Sequence, residues 1–252
     1  MNKPILLIAA TLIFSVISLS FLKKPSGIET KIKAPIISGN TTVKSAYIGP
    51  TMNAKVLSKE LFKQMQLDKK GLSQTALETA VKGYMQLKKQ GRLKKDGLLT
   101  IVDLSQSSRK KRFYLLDVEN MKLLAHTYVS HGKNSGVDMA KEFSNVVGSE
   151  KSSIGFYVTK NTYWGKNGLS LRMAGQEKSF NDNAEKRAIV VHGADYVNAG
   201  RVNSSFMGRS QGCPALPRAE TKKVINLIKD GTALFVYYPS DRYLQDSHLI
   251  NG

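Results

Sequence analysis

The apolar residues change from helical to strand period near residue 98, and that change limits the fold more than any other feature. Upstream, 53–66 carries Val56, Leu57, Leu61, Phe62 and Met65 at helical spacing, and 72–90 carries Leu72, Ala76, Leu77, Ala80, Val81, Tyr84, Met85 and Leu87. Ser73 is placed to cap the second helix, and Gly91 to stop it after Lys88 and Lys89. Downstream, 98–104, 112–118 and 122–129 are short, β-rich and separated by turn residues, with 117–122 reading as a hairpin turn. A helix follows at 218–229, started by Pro217 and stopped by Gly231, then a closing strand at 233–238 and a polar tail. The expected architecture is mainly β and sandwich-like, with a small helical hairpin on its N-terminal side. The segment 105–111 reads as a surface loop, and 130–136 as a Gly/Ser connection between strands. Tyr163-Trp164-Gly165 and Leu169-Ser170-Leu171 read as core and loop, with Trp164 the best aromatic candidate for touching a glycan.

The chemistry concentrates in 188–217. Arg187-Ala188-Ile189-Val190-Val191 is apolar after its arginine, β-branched and free of breakers, so it reads as a strand. His192 stands at its end, where Gly193 lets the chain turn. Cys213, the one cysteine in 252 residues, lies between Gly212 and Pro214. The proline favours extended geometry at Cys213, and the glycine before it lets a substrate carbonyl approach backbone N–H groups. A thiol beside a histidine forms a thiolate at neutral pH, the nucleophile of acyl transfer. His192 precedes Cys213 by 21 positions, so the pair meets only if the polar, glycine-rich stretch between them loops back. The competing reading is a buried small thiol and a strand-end histidine with no chemistry. With one cysteine no intrachain disulfide forms.

His192-Gly193, the spacer and Ser210-Gln211-Gly212-Cys213 resemble the signature of the YkuD-like L,D-transpeptidases, enzymes that remodel bacterial peptidoglycan. The run Gly208 to Leu216 is similar to that of the branch called murein L,D-transpeptidase catalytic domain proteins. The similarity extends to Phe143-Ser144-Asn145, to Ser152 through Tyr157 and to Phe180 through Ala184, and covers roughly 98–239. It implies a β-sandwich-like domain with Cys213 as nucleophile at a cleft rim, His192 as base, and the Gly193 carbonyl orienting the imidazole. Backbone N–H groups of Gly212 and Cys213 are expected to form the oxyanion hole. Where the wider family has a histidine, this chain has Gln211, which donates but does not titrate. Arg209 is the candidate for the missing positive charge, with Arg201 next, and Ser210 and Gln211 complete the expected substrate contacts. His131 and Ser153 are second-rank candidates because their loops lie near the cleft in the resemblance. No cofactor and no metal are expected, since His126 and His131 match no compact zinc spacing.

A net charge of +19 calls for an anionic partner, either nucleic acid or a negatively charged cell envelope. The apolar run 5–22 decides between them: eighteen residues after Lys3 read as an export signal, cleaved or kept as a membrane anchor. The expected partners are therefore peptidoglycan stem peptides and the anionic envelope, with no nucleic acid, and the location is the periplasm or cell envelope. The organisation read from the chain is a signal or anchor at 1–24, a linker at 25–50, a helical hairpin at 51–95, a catalytic domain at 96–240 and a polar tail at 241–252. Three other functions fit the residues: an L,D-carboxypeptidase, a non-catalytic peptidoglycan-binding protein, and a cysteine peptidase of ordinary L-peptides.

Overall fold

The computed structural model describes residues 53–252. The expected export segment, the linker and the first two residues of the helical hairpin lie outside them. Helices α1 (Ala54–Gln64) and α2 (Gln74–Lys89) form the hairpin. Asn53 caps α1 by accepting from the Val56 N–H, and Ser73 caps α2 by accepting from the Ala76 N–H at 3.1 Å. Gly91 follows α2 with φ +65°, the left-handed conformation that ends helices.

The rest is built on an eight-stranded mixed sheet in the order β3-β2-β1-β10-β5-β6-β7-β9. Its strands are β1 (Leu98–Asp103), β2 (Phe113–Asp117), β3 (Lys122–Thr127), β5 (Gly155–Gly165), β6 (Gly168–Gly175), β7 (Val190–Ala194), β9 (Ala215–Pro217) and β10 (Ala233–Tyr237). A second, parallel two-stranded sheet pairs β4 (His131–Gly132) with β8 (Arg209–Ser210). Helix α3 (Arg218–Ile228) leaves β9 at Pro217. The sheet-dominated domain with a small helical N-terminal part matches the expectation.

Three readings change. The hairpin β5–β6 was not anticipated; Lys166-Asn167 make its turn, and Gly168 takes up φ +79°, a left-handed position suited to glycine. The irregular pairing between Thr159 and Thr162 hides the strand alternation in this part of the sequence. The strand expected at 187–191 begins only at Val190, because Ala188 turns the chain with φ +52°. The polar tail instead folds as α4 (Asp241–Asp246) and α5 (His248–Asn251), which bury Tyr243 and Leu249. These helices are held by Glu177, a buried carboxylate that accepts from the Phe156 N–H at 2.7 Å, from the Tyr243 hydroxyl at 2.8 Å and from the Ser247 hydroxyl.

The helical hairpin packs on the central strands through an unusual close approach. Gly83, in mid-helix, lies against the Phe156 ring, which stacks on Phe235 at 4.1 Å between centroids. The 105–111 loop is tied down: Asp103 accepts from Ser105 and Gln106, and Asp138 accepts from Ser107, Ser108 and Arg109.

Candidate active site

The register of the sheet brings the two signature segments together. Ser170 of β6 pairs with His192 of β7, and His192 pairs in parallel with Ala215 of β9, two residues beyond Cys213. The sulfur of Cys213 accepts from the Val190 N–H at 3.5 Å, and its S–H is aimed at the Ala188 carbonyl 3.8 Å away. The thiol therefore sits at the start of β7, two residues before the histidine, a step of about 6.6 Å along a strand. Its hydrogen-bond partners among the described residues are backbone groups, and no hydrogen bond joins it to His192.

His192 is buried, and its Nδ1 lies 3.0 Å from the Gly193 carbonyl oxygen. A carbonyl only accepts, so the proton resides on Nδ1 and the Nε2 lone pair is left for a substrate or thiol proton. Burial lowers the His192 pKa; the Gly193 contact opposes this and the Arg218 charge reinforces it. Burial raises that of Cys213, against the Val190 N–H and the charge of Arg187. Both shifts favour the neutral thiol and the neutral imidazole, the opposite direction to a thiolate preformed by its neighbour.

The turn carrying Cys213 is closed by its own serine. Ser210 Oγ accepts from the Gly212 N–H at 3.1 Å and donates to the Cys213 carbonyl at 2.6 Å. The Gly212 N–H is thereby occupied, contrary to its expected place in the oxyanion hole, and Ser210 is a turn-former with its side chain turned inward. Among the described residues the Cys213 N–H has no partner. Gly212 has φ +117°, and a Cβ there would meet the Lys151 carbonyl at 2.8 Å. Gln211 is exposed at the mouth of this turn.

The remaining candidates are supports. His131 is fully buried, accepts at Nδ1 from Arg112 Nη2 at 2.7 Å and points Nε2 at the Gly136 carbonyl. Burial beside the Arg112 cation pushes it down to about 4, so it stays neutral and has no face open to a substrate. Ser153 is buried between the Tyr157 hydroxyl at 2.8 Å and Arg187 Nη1 at 3.1 Å. The Arg209 guanidinium donates to the carbonyls of Lys133 and Gly136 and lies over the Phe206 ring at 4.7 Å.

The cation that acts on the thiol is Arg187, which the sequence did not single out. It donates to the carbonyls of Ser144 at 2.6 Å and Lys151 at 2.5 Å and to the hydroxyls of Ser149 and Ser153. Ser152 was also missed: it accepts from the Gly132 N–H and donates to the Gly212 carbonyl, bracing the cysteine turn from behind. No sequence motif marks Arg187, and Ser152 lies in the stretch 152–157 that carries the resemblance without being singled out there. Among the described residues no cluster of His, Cys, Asp and Glu could hold a metal ion.

A family model described as the L,D-transpeptidase catalytic domain matches residues 68–237. The chain belongs to that family. Similar solved structures include an L,D-transpeptidase from Mycobacterium tuberculosis H37Rv (12% identity, TM-score 0.38, covering 56% of this chain and 58% of that one). Another is the L,D-transpeptidase from Xylanimonas cellulosilytica DSM 15894 (18% identity, TM-score 0.32, covering 56% and 60%). A third is the C442S mutant of the Enterococcus faecium L,D-transpeptidase (14% identity, TM-score 0.34, covering 56% and 50%). The chain thus spans less than two thirds of the length of these structures. No curated protein matches it. The matched span takes in α2, all ten strands, α3 and every candidate site residue, while α1 and the C-terminal helices lie outside it.

Proposed function

We propose that the protein is a peptidoglycan L,D-transpeptidase that works by acyl transfer through Cys213. The observation that carries this reading is the histidine: its Nδ1 is committed to the Gly193 carbonyl, and the thiol lies against Val190, the first residue of the same strand. On substrate binding, His192 Nε2 takes the thiol proton and the sulfur bonds to the carbonyl carbon before a terminal D-residue. The Cys213 N–H supports the oxyanion. The tetrahedral adduct collapses with cleavage of the C–N bond, and His192 returns the proton to the departing D-amino acid. An amine of a second stem then attacks the thioester, loses its proton to His192 and releases the cysteine. Water in place of the amine makes the same site an L,D-carboxypeptidase.

The +19 charge and the apolar run at 5–22 support a location outside the cytoplasm, in the periplasm or envelope, with membrane attachment if the run is retained. Incubating wild type and Cys213→Ala with tetrapeptide stems and with a carbapenem, read by product analysis and intact mass, tests the reading. A covalent adduct and D-residue release that both vanish in the variant are expected. Equal turnover in the two proteins would overturn it, and the products distinguish an amine acceptor from water.

A further inference from the structure

A transferase of carboxylate-bearing peptides needs a cation whose hydrogen bonds are still available. Arg187 is spent on four protein acceptors and Arg218 on Asp195 at 2.5 Å, while Arg209 is tied through Nη1 to the carbonyls of Lys133 and Gly136. Arg112 is wholly buried. Arg201 leans over Phe206 within the segment that connects β7 to β8, off the strands.

Among the described residues Arg201 is also unpaired, with its Nε buried and without a partner; Arg172 differs from it, and from Arg209, in lying on a strand next to β7. It lies in β6, paired with Val190, the residue whose N–H meets the Cys213 sulfur. Ser170, two residues before it, pairs with His192 on one side and with Tyr163 of β5 on the other. Directly opposed residues share a face of a sheet, and residues two apart on a strand do so too. Tyr163, Ser170, Arg172, Val190 and His192 therefore all project from one face. Along that face Ser170, His192 and Val190 are buried, Tyr163 is half-buried, and Arg172 is exposed. Its guanidinium lies over the Tyr163 ring at 4.2 Å, and among the described residues no ion pair or hydrogen bond engages it. Stacking orients the plane while leaving the N–H edge free, which suits the two parallel hydrogen bonds a carboxylate accepts.

We propose that Arg172, held flat by Tyr163, is the specificity-determining anchor for a carboxylate of the donor peptide, diagonal to His192 across β6–β7. The carboxylate belongs either to the departing terminal D-residue or to the side chain of the preceding residue. This rests on the acyl-transfer reading and names the group by which that site selects its donor.

The test compares wild type, Arg172→Ala, Arg172→Lys, Tyr163→Ala and Tyr163→Phe on three donors. The donors are a tetrapeptide stem with free carboxylates, the same peptide amidated at its C-terminus, and the same peptide amidated on its third-residue side chain. Arg172→Ala should raise KM for the free donor about ten- to hundredfold with kcat changed less than about threefold, as for loss of a charged hydrogen-bond pair. Arg172→Lys should fall between, since it keeps the charge but loses the fork. Tyr163→Phe should resemble wild type and Tyr163→Ala should weaken KM. One of the two amidated donors should be insensitive to Arg172→Ala, and that one identifies the carboxylate. An unchanged KM in Arg172→Ala, or equal losses on all three donors, would overturn the proposal. Affinity of the same peptides for Cys213→Ala with and without Arg172→Ala, followed by calorimetry, gives the second readout. If wild type neither turns over nor forms an adduct, the acyl-transfer reading fails by itself. A carboxylate-dependent affinity lost with Arg172 would still uphold the anchor, and an affinity indifferent to Arg172 would sink it.

Discussion

His192 donates through Nδ1 to the carbonyl oxygen of its own neighbour, Gly193, at 3.0 Å. The backbone thus does for this imidazole what an acidic third residue does in other dyads: it fixes the tautomer that leaves Nε2 basic. Asp195, the nearest carboxylate in sequence, is instead bound to Arg218. As the proposed base, His192 must be neutral to act, and burial lowers its pKa below the ordinary 6.5. Protonation then removes activity only at more acid pH. The acid limb of kcat/KM is expected below 6.5, read from a pH profile on a soluble donor; an acid limb above that value would contradict the buried neutral imidazole.

Cys213 titrates in the opposite direction. Burial raises its pKa above the ordinary thiol value, and the Val190 N–H and Arg187 offset this only in part. Only the thiolate alkylates. The rate of modification by iodoacetamide should therefore keep rising with pH through about 8.5, the value at which a free cysteine is half ionised. A plateau already reached at neutral pH would show a preformed thiolate–imidazolium pair.

Gly212→Ala should cost more than its size suggests. The residue sits at φ +117°, which strains any side chain by about 1–3 kcal/mol, and the added methyl would press on the Lys151 carbonyl 2.8 Å away. Moving Gly212 moves Cys213 and its N–H with it, so turnover should fall by about 10²-fold or more, as when an oxyanion donor is lost. Mass-detected acylation by a carbapenem at near wild-type rate would show that the turn tolerates the change.

The proposed pair, Cys213 and His192, stands out in the sequence on local signals: a glycine before the cysteine, a proline after it, and a glycine after the histidine. The helical hairpin was legible because its period and caps are local. What the sequence concealed is set by distant contacts. Arg187 reads as the start of a strand, yet its role depends on acceptors at 144, 149, 151 and 153. His131 looks reactive in sequence, but burial, with Arg112 bound to its Nδ1, leaves it neutral and with no open face. Arg172 was passed over because its strand was not recognised: the irregularity after Thr159 breaks the alternation, and the turn before Gly168 was not weighed.

Gly83→Ala sets helix propensity against packing. Alanine in mid-helix is favoured over glycine by about 1 kcal/mol. Its methyl would, however, enter the ring of Phe156, which cannot retreat because it stacks on Phe235. Overpacking of this kind costs about 1–3 kcal/mol, so the variant should be less stable overall in denaturant titration. Combining it with Phe156→Leu should recover part of the loss, since the two changes act at one contact. A stabilised Gly83→Ala would show that the hairpin shifts freely on the sheet.

Glu177 makes the C-terminal helices part of the domain, and it does so as a buried carboxylate. Three donors point at it, from Phe156, Tyr243 and Ser247, yet burial outweighs them and raises its pKa above the ordinary 4.5. The native state therefore binds the proton more readily than the unfolded chain does. The corresponding stability is present below 4.5 and is lost as pH rises through the folded pKa. Glu177→Gln removes the charge and keeps the shape. One oxygen can still accept from the Phe156 N–H and the Tyr243 hydroxyl, while the new amide donates to Ser247 Oγ. The variant should match wild type at acid pH and gain on it as pH rises, in paired melting curves at pH 4 and pH 8. Glu177→Ala, which leaves those donors without an acceptor and opens a cavity, should lose about 2–4 kcal/mol at either pH. A Glu177→Gln protein that loses stability relative to wild type between pH 4 and pH 8 would mean that the charged form is the one the fold prefers.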